Sequence, residues 1–551
     1  MGTVNLGQLA TQASSAAGAD NAAVRARIDR GRSISSATVP VPNPALTAIA
    51  STHGGAHGFV GITDATQSQA KGNVSVEPPD QGLCSHAGVV LETVNLGLQV
   101  YTEAGQTLTR VVSLNAFFHL PLLLNGANPT TFGPFLSDPR CYFDAQTSRW
   151  FVSVLEIDIN PYTGAFGYRS ATLLAVSQTA DPTGSYGLFS IDSTNDGTDG
   201  TPAEANCPCF GDQPRLGADA NGIYLTTDSY PIHGLFNSNG GELYALSKSG
   251  LAAAATGGAA PTLVDIHSGA VVVDGFPSNA LQPAATPEGA GYAPNTEYFL
   301  NTPDFNGFAT SGGVGAQAVV LWALHGTSSL AAATPSLTLS HAILPSEPYA
   351  PPVAAVQKKG PIPYGTSIGA TAVPPLSVND DRMQQVEYVN GNVYSSLNTG
   401  VGAKQTANRS AIAWFVVTPT TTGGSLTSQG YVAIGSGASL LYPAIGLDAA
   451  GNGVMAFSLS GPGFFPSAAF MRFAGTSPAG PIYITGRGTA PEDGFTCYTQ
   501  IGFGPACRWG DYSAASSDGA GHIVMADEMI PNAARATDGN WGTFVSVLSA
   551  H

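Results

Sequence analysis

Charge is what this chain has least of. Asp, Glu, Lys and Arg make up 10% of its 551 residues, against roughly 25% in an average protein. Only 20 residues are basic against 37 acidic, for a net charge of −17. Binding to nucleic acid needs clustered Lys and Arg to neutralise phosphate, so no nucleic-acid partner is expected. An anionic membrane surface is disfavoured for the same reason. A diffuse acidic surface serves solubility first, and a cationic or metal partner second. Long hydrophobic runs are missing as well. No stretch of about 18 apolar residues occurs, so no membrane insertion is expected. The opening "MGTVNLGQLATQASSAAGAD" has no basic region ahead of an apolar core, and so does not read as a secretory signal peptide. An exported form would be a processed one. HExxH and P-loop signatures are absent, and the 10 His show no metal-ligand spacing. Runs of Ala, Leu, Glu and Lys, which favour helix, are few.

Against these gaps stand a hydrophobic fraction of 43%, 67 Gly, 39 Pro, 19 Tyr, 24 Phe and 5 Trp. That is material for a large core and for many tight turns between short strands. The composition reads as mostly β.

The six cysteines are Cys84, Cys141, Cys207, Cys209, Cys497 and Cys507. An even count without a zinc-like CxxC pair suits disulfides and an oxidising compartment, secreted, extracellular or periplasmic. Cys497 and Cys507 bracket one loop and are expected to pair. Cys84 and Cys141 pair if their strands are neighbours. Cys207-Pro208-Cys209 is too tight for an ordinary bridge, though its loop admits a strained one. Free buried thiols are the alternative.

One stretch repeats. "RWGDYSAASSDGAGHIVMADE" (508–528) has a polar start, small residues, an Asp-Gly turn and an apolar run. The same grammar returns in "YPAIGLDAAGNGVMAFSLS" (442–460), "DQPRLGADANGIYLTTDS" (212–229) and "SDPRCYFDAQTSRWFVSVLE" (137–156), with weaker copies at 79, 281 and 379. Each copy is followed by a third strand such as "ATLLAVS" (171) or "AIAWFVV" (411), and six by a fourth, from "VVSLNAFF" (111) to "PIYITG" (481). Four strands in each of seven repeats predict an all-β fold, a seven-bladed β-propeller, with blades starting near 79, 137, 212, 281, 379, 442 and 511. The last repeat lacks a fourth strand, and "GFVGITD" (58–64) is placed to supply it, closing the ring with an N-terminal strand. The expected division is an N-terminal arm, 1–57, with one short helix in "NAAVRARIDRGR", and a propeller, 58–551. A β-sandwich, or two smaller β domains, is the alternative.

Long loops gather on one face of such a ring, and loops on a rigid scaffold carry function. First strands there begin with Asp80, Asp138, Asp212, Asp381 and Asp511, flanked by Arg140, Arg215, Arg382 and Arg508. Second strands end near the same rim with Glu156, Asp228, Asp304, Asp527 and Glu528. Asp80, Asp138 and Asp511 are the candidate catalytic carboxylates, since a carboxyl pair can do acid/base work on a glycosidic bond. Arg140, Arg215, Arg382, Arg508, Asp212 and Glu528 are the candidate ligand-binding residues, Arg offering a planar fork to a carboxylate or sulfate. The bland alternative is that each Asp caps a turn or bonds backbone N–H groups and each Arg pairs with a neighbouring blade's Asp. Clustered hard oxygens suit Ca²⁺ and no other cofactor. "DSTNDGTDG" (192–200) has a calcium-loop composition without the EF-hand register. Tyr230, Phe236, Phe305 and Tyr349 on the loops stack on sugars or form local cores.

"EPPDQGLCSHAGVVLETVN", "DPRCYFDAQTSRWFVSVL", "AVSQTADPTGSYGLF" and "RWGDYSAASSD" resemble motifs of secreted bacterial β-propeller proteins, mostly without assigned activity. A more distant similarity is to the sialidase-like propeller superfamily. That similarity implies an arginine triad on a substrate carboxylate, to which Arg140, Arg215 and Arg508 would correspond, with Asp80 or Asp138 as the acid. The superfamily's SxDxGxTW turn motif is not present here, nor can its Tyr–Glu nucleophile pair be identified.

Two functions follow. One is hydrolysis or recognition of an extracellular glycan at the channel mouth by a monomeric exported protein. The other is a non-catalytic binding or cell-surface module whose partner is a protein or a carbohydrate.

Overall fold

The repeated grammar of Asp, Gly-rich turn and apolar run folds as the first hairpin of an antiparallel meander, and the protein is all-β. The computed structural model describes residues 2–11, 39–70, 72–125, 131–233, 238–273, 276–303, 315–420, 422–532, 535 and 539–550. The first meander comprises Gly82–His86, Val89–Val94, Gly97–Thr102 and Val112–Ser113. The second comprises Phe135–Asp144, Arg149–Ile159, Phe166–Ser177 and Ser185–Asp192. The third is Cys209–Ala218, Gly222–Pro231, Gly240–Ser247 and Val264–His267, and the fourth Gln282–Ala285, Thr296–Asn301, Ala316–His325 and Thr338–Tyr349. The fifth is Val386–Val389, Asn392–Val401, Arg409–Thr420 and Gly423–Val432, and the sixth Ser439–Leu447, Asn452–Gly461, Phe464–Ala474 and Ser477–Gly486. The last has Ala514–Ser517, His522–Met529 and Gly542–Ser549, and its fourth strand is His57–Thr63, with Phe59 opposite Val545.

The region expected to be an arm is partly sheet. Gly2–Asn5 adds an edge strand to the second meander, Gly2 opposite Leu188, and the helix Leu6–Thr11 follows with Leu6 fully buried. Further on, Thr47 N–H donates to Ala433 O at 2.7 Å and Ala50 N–H to Ile482 O at 2.8 Å, so this stretch runs along the fifth and sixth meanders. The expected helix in "NAAVRARIDRGR" lies outside the described residues, as do Asp304, Phe236 and Phe305. One strand expectation fails. "VVSLNAFF" is strand only at Val112–Ser113 and then turns into the helix Leu114–Phe117. Leu114 and Phe117 fall on one helix face and both bury in the core shared with the second meander, which a continued strand would not allow.

Continuous apolar runs form strands here because both strand faces are covered. In the third meander Ile223, Leu225 and Tyr244 pack toward the second, while Tyr224, Leu243 and Ala245 pack toward the fourth. The same alternation puts Phe151 on one side of its sheet and Trp150 and Val152 on the other. Separate apolar clusters thus lie between consecutive meanders, and one, with Leu83, Val90, Ala514 and Val524, lies between the last and the first.

The repeated Asp closes the first hairpin of its meander. Asp219 Oδ1 accepts the Asn221 and Gly222 N–H groups at 2.8 and 2.7 Å, and Asp448 Oδ1 accepts those of Ala450 and Asn452 at 2.9 Å. Among the described residues no cysteine is free: Cys84–Cys141, Cys207–Cys209 and Cys497–Cys507 are bridged. Cys84–Cys141 joins the first strands of the first and second meanders, with Cα atoms 5.4 Å apart. These bridges suit an oxidising compartment. No described helix is long and apolar enough to cross a membrane.

Several of the scarce charges are buried as staples. Lys248 Nζ donates to Asp144 Oδ1 at 2.7 Å and to Asp219 O at 2.6 Å, with 1% of its side chain exposed. Glu92, fully buried in the first meander, accepts the Ile62 N–H at 3.1 Å and the Thr543 hydroxyl, tying that meander to the last. Burial pushes Glu92 up to about 7 and Asp527 up to about 8. Lys248→Met would leave Asp144 buried and uncompensated, costing about 3–5 kcal/mol, which a denaturant midpoint reads directly. The raised carboxyls set a pH dependence. They hold protons in the folded state that an unfolded chain releases near pH 4, so stability present at acidic pH is lost as pH rises through about 7 to 8. The expected outcome is a melting temperature higher at pH 5 than at pH 8.5.

Candidate functional site

Asp80, Asp138 and Asp511 come from the starts of first strands in the first, second and last meanders, and their carboxylate oxygens lie within 4.8 Å of one another. Asp80 and Asp138 adopt left-handed backbone, φ 47° and 57°, a conformation costly for a residue with a Cβ. At Asp138-Pro139 the strand register slips, because Ser153 faces Arg140 but Leu155 faces Ser137. The slip turns the Asp138 side chain out of the pleat. Asn95 holds this geometry. Its Oδ1 accepts the Asp138 N–H at 2.8 Å while its amide donates to Asp80 Oδ2 at 2.7 Å. Asp80 Oδ1 in turn accepts the Asp511 N–H at 2.6 Å.

The three carboxyls sit in different fields. Asp511 accepts from Asn379 Nδ2 at 2.5 Å and from Arg508 Nη2 at 3.2 Å, and its side chain is 16% exposed. Asp138 has no hydrogen bond on its carboxylate among the described residues. Burial, then Asp212, Asp80 and Asp511, push it well above the usual carboxylate range. Burial and then Asp511 push Asp80 up to about 7, with Arg508 and two hydrogen bonds opposing. A carboxyl held protonated beside one whose charge is solvated by donors is the arrangement that separates acid from base.

The arginines divide. Arg508 is 39% exposed at the rim. Arg140 lies with its guanidinium carbon 3.3 Å from the Tyr512 ring centre, and its buried Nε and Nη2 have no hydrogen-bond partner. Arg215, 1% exposed, donates to Asp228 Oδ2 at 2.7 Å and Gln213 Oε1 at 2.8 Å. Arg382 grips Asp380 through Nε at 2.8 Å and Nη2 at 2.7 Å, and also reaches Gln213. Arg215 and Arg382 are thus engaged inside the wall, Arg215 with an Asp of its own meander and Arg382 with one two residues away, neither of them an Asp of a neighbouring meander, and the superfamily's triad is not gathered around one open point. Asp212 lies by this pair. Burial first, then Asp228, push it up to about 7 against Arg382 and Arg215. Glu528 is 2% exposed and accepts the Gly510 N–H at 2.6 Å, so it supports the loop carrying Asp511.

Below the three aspartates, a channel lined by Gly82, Arg140, Leu216, Gln282, Gln385 and Ala515 holds about 70 Å³ of free space. Pockets that enclose small molecules start at roughly 300 Å³, so this space is too small to enclose one. Tyr230 and Tyr349, expected as loop aromatics able to stack, are both fully buried, and the Tyr349 hydroxyl donates to Ala318 O at 2.7 Å. They are core because their strand faces point into the sheet contacts. Two aromatics escaped the sequence reading: Tyr162 is 78% and Tyr168 66% exposed. They lie near a groove of about 440 Å³ lined by Glu156, Asp158, Arg169, Asp192 and Asp199. Their signal was the loop "NPYTGAFGY", where apolar rings have no alternating pattern to bury them. Acids of the "DSTNDGTDG" stretch are occupied locally: Asp192 Oδ2 accepts the Thr201 hydroxyl at 2.6 Å, and Asp199 pairs with Arg169. Gly365-Thr366-Ser367-Ile368-Gly369 has nucleophile-elbow spacing. It lies on the helix Pro363–Ser367, with the Ser367 hydroxyl spent on Tyr364 O at 2.6 Å, not on a strand-to-helix turn.

No family model matches this chain, and no curated protein does. Among solved structures, polysaccharide lyase Uly1 aligns over 93% of this chain and 100% of its own at 9% identity, TM-score 0.35. The GH93 α-L-arabinofuranosidase of Fusarium graminearum, in complex with arabinobiose, aligns over 75% of this chain and 93% of its own at 10% identity, TM-score 0.30. Bacillus subtilis arabinanase Arb43A aligns over 63% and 96% at 14% identity, TM-score 0.28. At these scores the similarities carry no argument about what this chain binds or does.

Proposed function

We propose that residues 58–551 form a seven-bladed β-propeller, preceded by the segment 1–57, and that it hydrolyses a glycosidic bond of an extracellular glycan at the mouth of its channel. The ring reading is supported by the first strands, which neighbour one another in chain order from the first meander to the last, the last lying against the first. The pairing of His57–Thr63 with Gly542–Ser549 supports closure by the N-terminal strand.

The observation that carries the chemistry is the convergence of Asp80, Asp138 and Asp511 within 4.8 Å in unlike environments. Carboxyls roughly 5–5.5 Å apart suit retaining hydrolysis, since inverting enzymes need about 6.5–9.5 Å to admit water. In this reading Asp511 attacks the anomeric carbon as the glycosidic C–O bond breaks, and Asp138 gives its proton to the leaving oxygen. Asp138 then takes a proton from water, which attacks the same carbon and frees the Asp511 carboxylate. Arg508 and Asn379 orient the Asp511 carboxylate. Asp80 is 1% exposed and acts as a positioning residue, fixing the Asp511 backbone and, through Asn95, that of Asp138. Ca²⁺ is not required by this scheme. The protein works as an exported monomer.

The test is reducing-end release from a panel of neutral and acidic polysaccharides, with the anomer of the first product read by NMR. Asp138→Asn and Asp511→Asn each lower kcat by about 10²–10⁴-fold, and the product retains its anomeric configuration. Turnover falls as pH rises through the raised Asp138 titration. Undiminished turnover in both variants overturns the assignment. A second reading, a non-catalytic glycan- or protein-binding module, is favoured by exposed Tyr162 and Tyr168. Under it no polysaccharide is cleaved, and Tyr162→Ala with Tyr168→Ala weakens ligand binding by about tenfold or more.

A further inference from the structure

At the other end of the strand Ala514–Ser517 from Asp511, the first hairpin of the last meander turns at Asp518. Its Oδ1 accepts the Ala520 and His522 N–H groups, both at 2.8 Å, which fixes the carboxylate and points Oδ2 at His522 Nδ1, 3.2 Å away. Glu103, from the turn after Gly97–Thr102 in the first meander, brings Oε2 to 3.0 Å from the same Nδ1. In other meanders the second oxygen of this Asp meets a cation or a hydroxyl: Asp144 takes Lys248 and Asp219 takes Thr327. In the last meander it meets an imidazole and another carboxylate.

We propose that Glu103, Asp518 and His522 bind a first-row divalent ion of the Zn²⁺ class, clasping the last meander to the first. One ligand atom from each residue lies within 4.8 Å of the others. The 3.0 and 3.2 Å separations from Nδ1 lie a few tenths of an ångström inside the ligand-to-ligand edges of roughly 3.3–3.6 Å around a tetrahedral ion held at ~2.0–2.2 Å, so a small outward shift of the carboxylates admits the ion. An independent observation points to a ligand. Glu103 is 8% exposed, and its second oxygen, Oε1, is buried with no hydrogen-bond donor among the described residues, while its carboxyl also lies within hydrogen-bond reach of the Asp518 carboxyl. A lone ion pair with His522 leaves that oxygen unsatisfied, which is costly in a buried site. Bidentate coordination of a cation satisfies both oxygens at once. One imidazole with two carboxylates suits Zn²⁺ better than Ca²⁺, which takes oxygens. The His522 side chain is 43% exposed, so the ion enters from solvent and water completes its shell. The backbone already meets here, with Ala87 N–H donating to Asp518 O at 3.0 Å. Glu204, Glu242 and His267 form another histidine–carboxylate group, and burial together with its like-charged neighbour Glu204 pushes Glu242 up to about 8 against the His267 bond. There His267 Nδ1 lies 2.7 Å from Glu204 Oε1 and 2.5 Å from Glu242 Oε1, ion-pair contacts tighter than the edges of a metal's ligand shell.

The test is calorimetric titration of the chelator-treated full chain with ZnCl₂, with Co²⁺ absorption as a second readout. One ion binds with a micromolar or tighter Kd, and it raises the melting temperature. Glu103→Gln and His522→Ala each weaken binding at least tenfold and abolish the thermal shift, whereas His267→Ala leaves both unchanged. Glu103→Gln preserves side-chain shape, so it answers the question if His522→Ala folds poorly. No binding, or binding lost only in His267→Ala, overturns the proposal. Neither outcome depends on glycan turnover at the opposite end.

Discussion

The candidate site depends on side chains that hold left-handed backbone at the start of the next meander. Asn95 does so for Asp138 at 2.8 Å, Asp228 for the Ala280 N–H at 2.6 Å, and Asn398 for the Tyr442 N–H at 2.8 Å. Ala280 and Tyr442 have φ 52° and 51°, in the same region as Asp138. Each such residue costs on the order of 1–3 kcal/mol, and each is held by a group at the end of the preceding meander's second strand. The clasp therefore does two things together. It couples neighbouring sheets by a directional bond where apolar packing alone would let them slide. In the second, fourth and sixth meanders it also fixes the direction of the side chain it holds. Where that side chain is Tyr442 it fills space, and where it is Asp138 it carries chemistry.

Scarce charge has a physical counterpart in this arrangement. With both faces of a sheet covered, a charged side chain within a strand has little solvent to reach. It is found either at a rim, as Arg508 is, or paired inside the wall, as Lys248, Arg215 and Arg382 are. Buried pairs add little net stability over apolar packing, but removing one partner is expensive. Of these pairs Lys248–Asp144 joins two meanders and so fixes one relative placement of adjacent sheets.

Much of the fold was legible because its signals are local. The Asp turns, the alternation or continuity of apolar runs, and the strand at 58–64 each show in a few residues. Less was legible where the deciding partner is remote. Arg508 and Arg215 sit in like repeat positions, yet only the distant Asp228 tells one from the other. The carboxylate cluster was readable as candidates but not as a geometry, since nothing about Asp138 announces a left-handed backbone. "VVSLNAFF" reads as strand, and its switch to helix follows from a core position the second meander supplies. Gly2–Asn5 carries no strong pattern and is strand because an edge was there to receive it. Tyr162 and Tyr168 left only a weak signal, the unpatterned stretch "NPYTGAFGY", because exposure of an aromatic is settled by tertiary packing.

The pairing of His57–Thr63 with Gly542–Ser549 has a consequence for synthesis. A ribosome adds residues at about 5–20 per second, so the early strand waits on the order of a minute for its partner. Throughout that wait it is an open edge that any other strand could take. Its two glycines answer this hazard. Gly58 is needed because a Cβ there would come within 2.5 Å of Val545 O, while in isolation glycine makes a poor strand former. The segment is thus shaped for a close approach to one backbone and is a weak template for others. The newest part of the chain finds the oldest still unengaged.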